Sequence, residues 1–210
     1  MKIINIFKFV FSGLLLLIGI LYGVGFIQIL SNIGNSSSVD MGNIKIYLVL
    51  KFILELILTV AYIFLGVILL LSVKKDKEVS EPILYGGLFL QLASSFLGTF
   101  ILFITMFSYV SNGLPLWIDL ILSAAAIVLY VLCYLKKIEG KNAQCVYFGI
   151  AVTCLFISIL ELTLGSSGLG IAVNIFEMLF SLSVIAKFAY VYLIEDKKEN
   201  KNNDNTSISE

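Results

Sequence analysis

Apolar and polar residues in this chain fall into long blocks, without the two-residue alternation of a strand or the single stripe of a surface helix. Uninterrupted apolar blocks occupy roughly 9–30, 46–73, 83–110, 115–135, 143–164 and 169–194, with short polar stretches between them. Each exceeds the ~20 residues a helix needs to cross a ~30 Å hydrocarbon core. A helix also closes its backbone hydrogen bonds within itself, as lipid requires. The blocks predict an all-α integral membrane protein, a bundle of about six transmembrane helices forming one domain over 1–194. The remaining stretch, 195–210, is polar and rich in Asn, Lys and Glu, and is expected to be a disordered tail.

The first block follows the basic start "MKIINIFK" but is longer than the roughly 7–15 residues of a signal-peptide core. No small-residue cleavage site follows it, only "YGVG". It is expected to remain as an uncleaved anchor and first helix.

The polar stretches between blocks differ in kind. Lys2 and Lys8 precede helix 1, "KKDKEVSEP" (74–82) joins helices 2 and 3, and "KKIEGKN" (136–142) joins helices 4 and 5. The alternate connections, 31–43, 111–115 and 165–170, contain no lysine. The positive-inside rule then places both termini in the cytoplasm. Double lysines recur at Lys74/Lys75, Lys136/Lys137 and Lys197/Lys198. This spacing fits three tandem helix hairpins related as repeats, or unrelated hairpins of similar length that each end in a basic loop.

Composition narrows the chemistry. The chain is 60% hydrophobic and 13% charged, with a mean hydropathy of +1.03. Soluble domains are about 45–50% apolar and about 25% charged. The formal net charge is zero, so nothing electrostatic draws the chain to nucleic acid. The basic residues are all lysine, and there is no histidine. Arginine forks for phosphate, arginine voltage-sensor ladders, histidine-ligated metals or haem and Ser-His catalysis are therefore excluded. Lysine without arginine, beside abundant Ile, Asn and Phe, reads as AT-rich codon usage and points to the cytoplasmic membrane of a bacterium. Cys133, Cys145 and Cys154 form an odd set on apolar segments and read as small packing residues rather than a disulfide framework or a metal site.

Against so apolar a background, the polar positions inside the helices stand out. On helix 3, Gly87, Gln91, Ser94, Ser95 and Gly98 recur at three- and four-residue steps on one face. Helix 1 carries Gly19-x-x-x-Gly23. Small residues let membrane helices approach closely, so Gly19, Gly23, Gly87, Ser94, Ser95 and Gly98 are expected in helix packing. Gln91 either hydrogen-bonds across such a contact or lines a polar cavity.

The acids form the second set. At 1.5 Å per residue, the eighteen residues between Glu55 and Lys74 span about 27 Å, the sixteen between Asp119 and Lys136 about 24 Å and the nineteen between Lys141 and Glu161 about 28 Å. All three are expected near the outer rim, with Glu177 somewhat deeper in the outer half. Five acids (Asp40, Glu55, Asp119, Glu161 and Glu177) lean outward against Lys45 and Lys51, an excess of about three negative charges. Such a mouth could collect a cation or a basic small molecule. Helix ends are also where charges cost least, so the rim position alone requires no function. Lys51 and Glu55, four residues apart on helix 2, are expected to pair near its outer entry.

"GSSG" (165–168) has the outline of an intramembrane serine protease motif, but no histidine exists to activate a serine. "NSS" (35–37) is a glycosylation sequon in pattern only. No nucleotide-binding or metalloprotease motif is present, and no cofactor is expected. In helix number, length and orientation the plan is similar to the substrate-binding subunits of energy-coupling-factor vitamin transporters. Taken together, the chain is expected to be non-enzymatic, embedded in the lipid bilayer, and either a small transporter or a substrate-binding or accessory subunit of a transport complex. The alternative is a structural or regulatory protein that holds a membrane-protein partner through helix contacts. The candidate site residues are Glu177, Glu55, Gln91, Asp119 and Glu161.

Overall fold

A computed structural model describes residues 3–35, 42–106, 113–163 and 168–206. Those residues form seven helices: α1 (Ile3–Asn35), α2 (Gly42–Lys74), α3 (Glu81–Leu84), α4 (Gly86–Met106), α5 (Gly113–Tyr134), α6 (Gly140–Thr163) and α7 (Gly168–Thr206). All but α3 are long and apolar enough to cross a membrane. Only 28–33% of each span is buried in the bundle. The outward faces carry large apolar side chains such as Ile27, Val60, Phe64, Ile104, Ile121 and Val128. Water would not support so continuous an apolar exterior, so this is a multi-pass membrane protein.

The third apolar block, expected as one helix over 83–110, begins instead with the separate turn α3. Pro82 sits in its first turn, and Tyr85 leaves helical geometry at φ −99°, ψ 11° before α4 starts at Gly86. Leu84 N–H and Tyr85 N–H still find the carbonyls of Ser80 and Glu81, and Leu88 N–H finds that of Tyr85. The break therefore costs little hydrogen bonding. At the far end, α7 carries helical backbone through to Thr206, over most of the segment expected as a tail.

The long helices close into a ring in which α1 packs between α2 and α7, α6 between α7 and α5, and α4 between α5 and α2. α4 also reaches inward to α6 and α7. The α1–α2 hairpin is held by small-residue contacts. A Cβ on Gly19 would lie 2.8 Å from Ile63 Cγ1, one on Gly23 3.4 Å from Thr59 Cγ2, and one on Gly66 2.9 Å from Leu16 Cγ. The falling partner numbers show that the two helices run antiparallel. Ser12 Oγ donates to the Gly66 carbonyl at 2.8 Å in the same seam.

At the lysine-rich end an aromatic cluster fills the middle of the ring. Tyr85 stacks near Tyr147 at 4.7 Å and Phe188 at 5.4 Å, and Tyr130 meets Phe89 and Tyr147 at 5.1 and 5.7 Å. Tyr130 donates to the Pro82 carbonyl, tying α5 to α3. Lys187 is buried here, with Nζ donating to the Tyr85 hydroxyl and lying 4.6 Å from that ring's centroid. Lys8 is likewise buried and donates to the Lys77 carbonyl at 2.8 Å. Cys133 and Cys154 are buried free thiols, and Cys145 is exposed.

Candidate functional site

The other half of the ring, toward the connections without lysine, is not filled. It surrounds an open cavity of about 610 Å³ to which every long helix contributes. Tyr22, Gly25 and Gln28 of α1 face it, with Lys51 and Glu55 of α2 and Ser94, Ser95, Gly98 and Thr99 of α4. Asp119 of α5, Glu161 of α6 and Asn174 of α7 complete the polar lining, and leucines such as Leu54, Leu58 and Leu102 supply the apolar part. A volume of this order suits a small molecule, and a mostly apolar wall with a few fixed polar groups is the usual form of such sites.

Asp119 sits one turn and a half into α5, which turns its side chain inward. It is only 1% exposed, enclosed by neighbouring helices. Ser95 Oγ donates to its Oδ1 at 2.5 Å, and Thr99 Oγ1 donates to its Oδ2. Ser95 and Thr99 are four apart on α4, so consecutive turns of one helix supply both donors. Ser95 also faces Glu161, whose carboxyl is close enough to feel Asp119. Two carboxyl groups from different helices thus share one wall.

Glu55 comes from the opposite side. Its Oε1 lies 3.9 Å from Lys51 Nζ, the pairing expected from their spacing. Lys51 is 43% exposed and Glu55 12%, so the lysine stays outside the bundle while the carboxylate turns in. Oε2 of Glu55 is buried without a hydrogen-bond partner and presses on α1 at Gly25, where an added Cβ would stand 2.5 Å away. Gly25 is what lets this carboxylate lie flat against the helix.

Beneath the cavity lies a layer of buried hydrogen bonds. Glu177 is 3% exposed, and its Oε1 accepts from both Tyr22 and Tyr62 hydroxyls at 3.1 Å. The two rings stack at 5.5 Å and 13°, which brings both hydroxyls to one oxygen. Tyr22 also shares a 2.6 Å hydrogen bond with Ser94 Oγ, so a cavity-lining ring connects to a carboxyl outside the lining. One turn deeper, Gln91 Nε2 donates to Ser158 Oγ at 2.8 Å and to the Cys154 carbonyl at 3.3 Å, while its Oε1 accepts from Ser181 at 3.0 Å. Gln91 therefore ties α4, α6 and α7 together below the cavity.

Among the residues singled out in the sequence, the structure brings Glu55, Asp119 and Glu161 to the cavity wall and places Glu177 and Gln91 in successive layers under it. The helix-3 stripe divides. Gly87 is a packing position, since a Cβ there would stand 2.4 Å from Phe180 Cζ and 2.6 Å from Leu15 Cδ2. A Cβ on Gly98 would meet nothing within 4 Å, because it faces the cavity. Ser94 and Ser95, expected in packing, donate or share hydrogen bonds inside the site. Asp40 and the connections 36–41, 107–112 and 164–167 lie outside the described residues, and with them most of the "NSS" and "GSSG" patterns.

Sequence reading missed Tyr22, Tyr62, Thr99, Ser158, Ser181 and Asn174. A signal was available for several. Asn174, Glu177 and Ser181 follow each other by three and four residues, as do Cys154, Ser158 and Glu161, so each set marks an inward face. The tyrosines gave none, since Tyr in a membrane helix is as readily an interfacial anchor. No family model, curated protein or solved structure matches the chain.

Proposed function

We propose that this protein is a non-enzymatic membrane component that captures a small molecule in the six-helix cavity, as a small transporter or as the substrate-binding subunit of a larger one. The observation that carries this reading is the cavity itself: about 610 Å³, walled by all six long helices, in a bundle otherwise packed with aromatic and aliphatic side chains. Its lining holds three acids, Glu55, Asp119 and Glu161, against one lysine that is already beside Glu55. That balance favours an organic cation with an apolar body. Tyr22 and Tyr47 are also among the lining residues, and aromatic rings attract such a group.

The competing reading, a structural partner protein, calls for small-residue faces turned outward. The seams that suggested it, Gly19/Gly23 and Gly87, are occupied within the chain by α2, Phe180 and Leu15. A thermal-stability screen of the purified protein in detergent tests the proposal with panels of organic cations, anions and neutral molecules. Cations at about 100 times their Kd should stabilise by about 2.7 kcal/mol. Stabilisation by none of the panels, together with a stoichiometric membrane protein retained on purification, would favour the partner reading instead.

A further inference from the structure

We infer that the cavity exchanges its ligand for a proton held on Glu177, so that protonation of this carboxyl and occupancy by a cation exclude one another. This rests on reading the cavity as a cation site and adds what regulates it.

The geometry points to the exchange in three ways. The first is burial without a facing cation among the described residues. Glu177 on α7 accepts from Tyr22 of α1 and Tyr62 of α2, and its electrostatic neighbours on α6 are Glu161 and Cys154. From α4, Ser94 bonds to Tyr22 and Gln91 accepts from Ser181, one turn along α7 from Glu177, and neither titrates. Lys187 stands ten residues along α7, about 15 Å away, and is engaged with Tyr85. Lys51 lies beside Glu55. An ionised carboxyl in that setting is costly, and two hydroxyl donors offset only part of the cost. A proton on the group, or a cation close above it, supplies the rest.

The second is a hydrogen-bond chain that can run either way. Tyr22 has a single hydroxyl proton and two neighbours, Ser94 at 2.6 Å and Glu177 at 3.1 Å. With Glu177 ionised, Ser94 donates to Tyr22, and Tyr22 and Tyr62 donate to Glu177. With Glu177 protonated, it donates to Tyr22, and Tyr22 donates to Ser94.

The third is placement. Tyr22 and Ser94 line the cavity whereas Glu177 does not, so the chain joins the ligand space to the buried carboxyl. When a cation enters, Glu177 gives up one proton through Tyr22 and Ser94 to the cavity, and the charge of the bundle is unchanged.

Permanent cations test this, because they carry no proton of their own: tetraethylammonium, benzyltrimethylammonium and tetraphenylphosphonium. Calorimetric titration of the full chain in buffers of different ionisation enthalpy counts protons released on binding. The wild type should release about one proton per cation bound, and its affinity should fall roughly tenfold per pH unit on the acid side of the transition. Glu177→Gln should release none. Tyr22→Phe removes a donor that stabilises the anion, so the break in affinity should move to higher pH; this variant keeps the test decisive should Glu177→Gln fail to fold. Binding without proton release, or release undiminished in Glu177→Gln, overturns the exchange while leaving the cation site standing. An unmoved break in Tyr22→Phe removes the Tyr22 route and overturns it too. If none of the three cations binds, the cation reading and the exchange fall together. The infrared carboxylic C=O band of the empty protein, compared with that of Glu177→Gln, then shows whether a proton resides there at all.

Discussion

Asp119 is the clearest case of a side chain whose surroundings set its cost. Its two oxygens accept from Ser95 and Thr99, and it is almost wholly buried. Replacing it with alanine takes the acceptors from two hydroxyls on the cavity wall. Asp119→Ala should lower stability by roughly 2–3 kcal/mol, an estimate from the usual cost of such losses, and Asp119→Asn by less, because the amide keeps an acceptor. Unfolding of the purified variants in detergent measures both. Lys51 lies at the other extreme. Its ion pair is long and nearly half its side chain is exposed, so Lys51→Ala should cost under about 1 kcal/mol. The same change leaves the Glu55 carboxylate alone at the cavity wall. A permanent organic cation should then bind several-fold more tightly, as read by the same titration.

Helix α4 shows how one stripe can serve two purposes. Its small and polar residues share a face, and in the ring that face runs from the packed lysine-rich half into the hollow half. Gly87 lies where Phe180 and Leu15 close in, and Gly98 where nothing does. Gly87→Ala should therefore destabilise by about 1–3 kcal/mol, the usual cost of forcing extra volume into a packed core. Gly98→Ala should leave the melting temperature within about a degree or improve it slightly through helix propensity. Gly98→Leu should lower affinity for the cavity's ligand without a matching loss of stability. Comparing melting curves with binding isotherms for the three variants separates packing from site. The stripe was legible in the sequence because helical period alone puts those residues on one face. The division between its ends was not, because it depends on what α1, α5 and α7 place opposite each turn.

For the molecule as a whole, the uneven distribution of lysine sets a direction that can be measured. Single cysteines placed at Lys75 and Lys137 in a cysteine-free background should react with a membrane-impermeant maleimide only after the cytoplasmic side is exposed. A cysteine at Gly113 or Gly168 should react from outside. The opposite pattern would invert the orientation and put the cavity on the cytoplasmic side. The aromatic cluster around Tyr85, Tyr130 and Tyr147 seals the lysine-rich half, so a ligand held above Glu177 meets a closed floor in this conformation.

Hydropathy was enough to count the spanning helices, and residue identities separated lysine-rich from lysine-poor connections. These follow from local cost, since each apolar block must satisfy its own backbone in lipid and each charge seeks the nearest water. Sequence spacing also paired Lys51 with Glu55, because partners four apart on one helix meet wherever that helix lies. The convergence of Glu55, Asp119 and Glu161 on one cavity, and of Tyr22 and Tyr62 on one oxygen of Glu177, was decided by tertiary packing. These groups come from different helices, and a helix's own period says which way a side chain points only relative to its neighbours in sequence. The order in which the helices close the ring, α4 reaching inward to α6 and α7, turns those separate faces toward a common space.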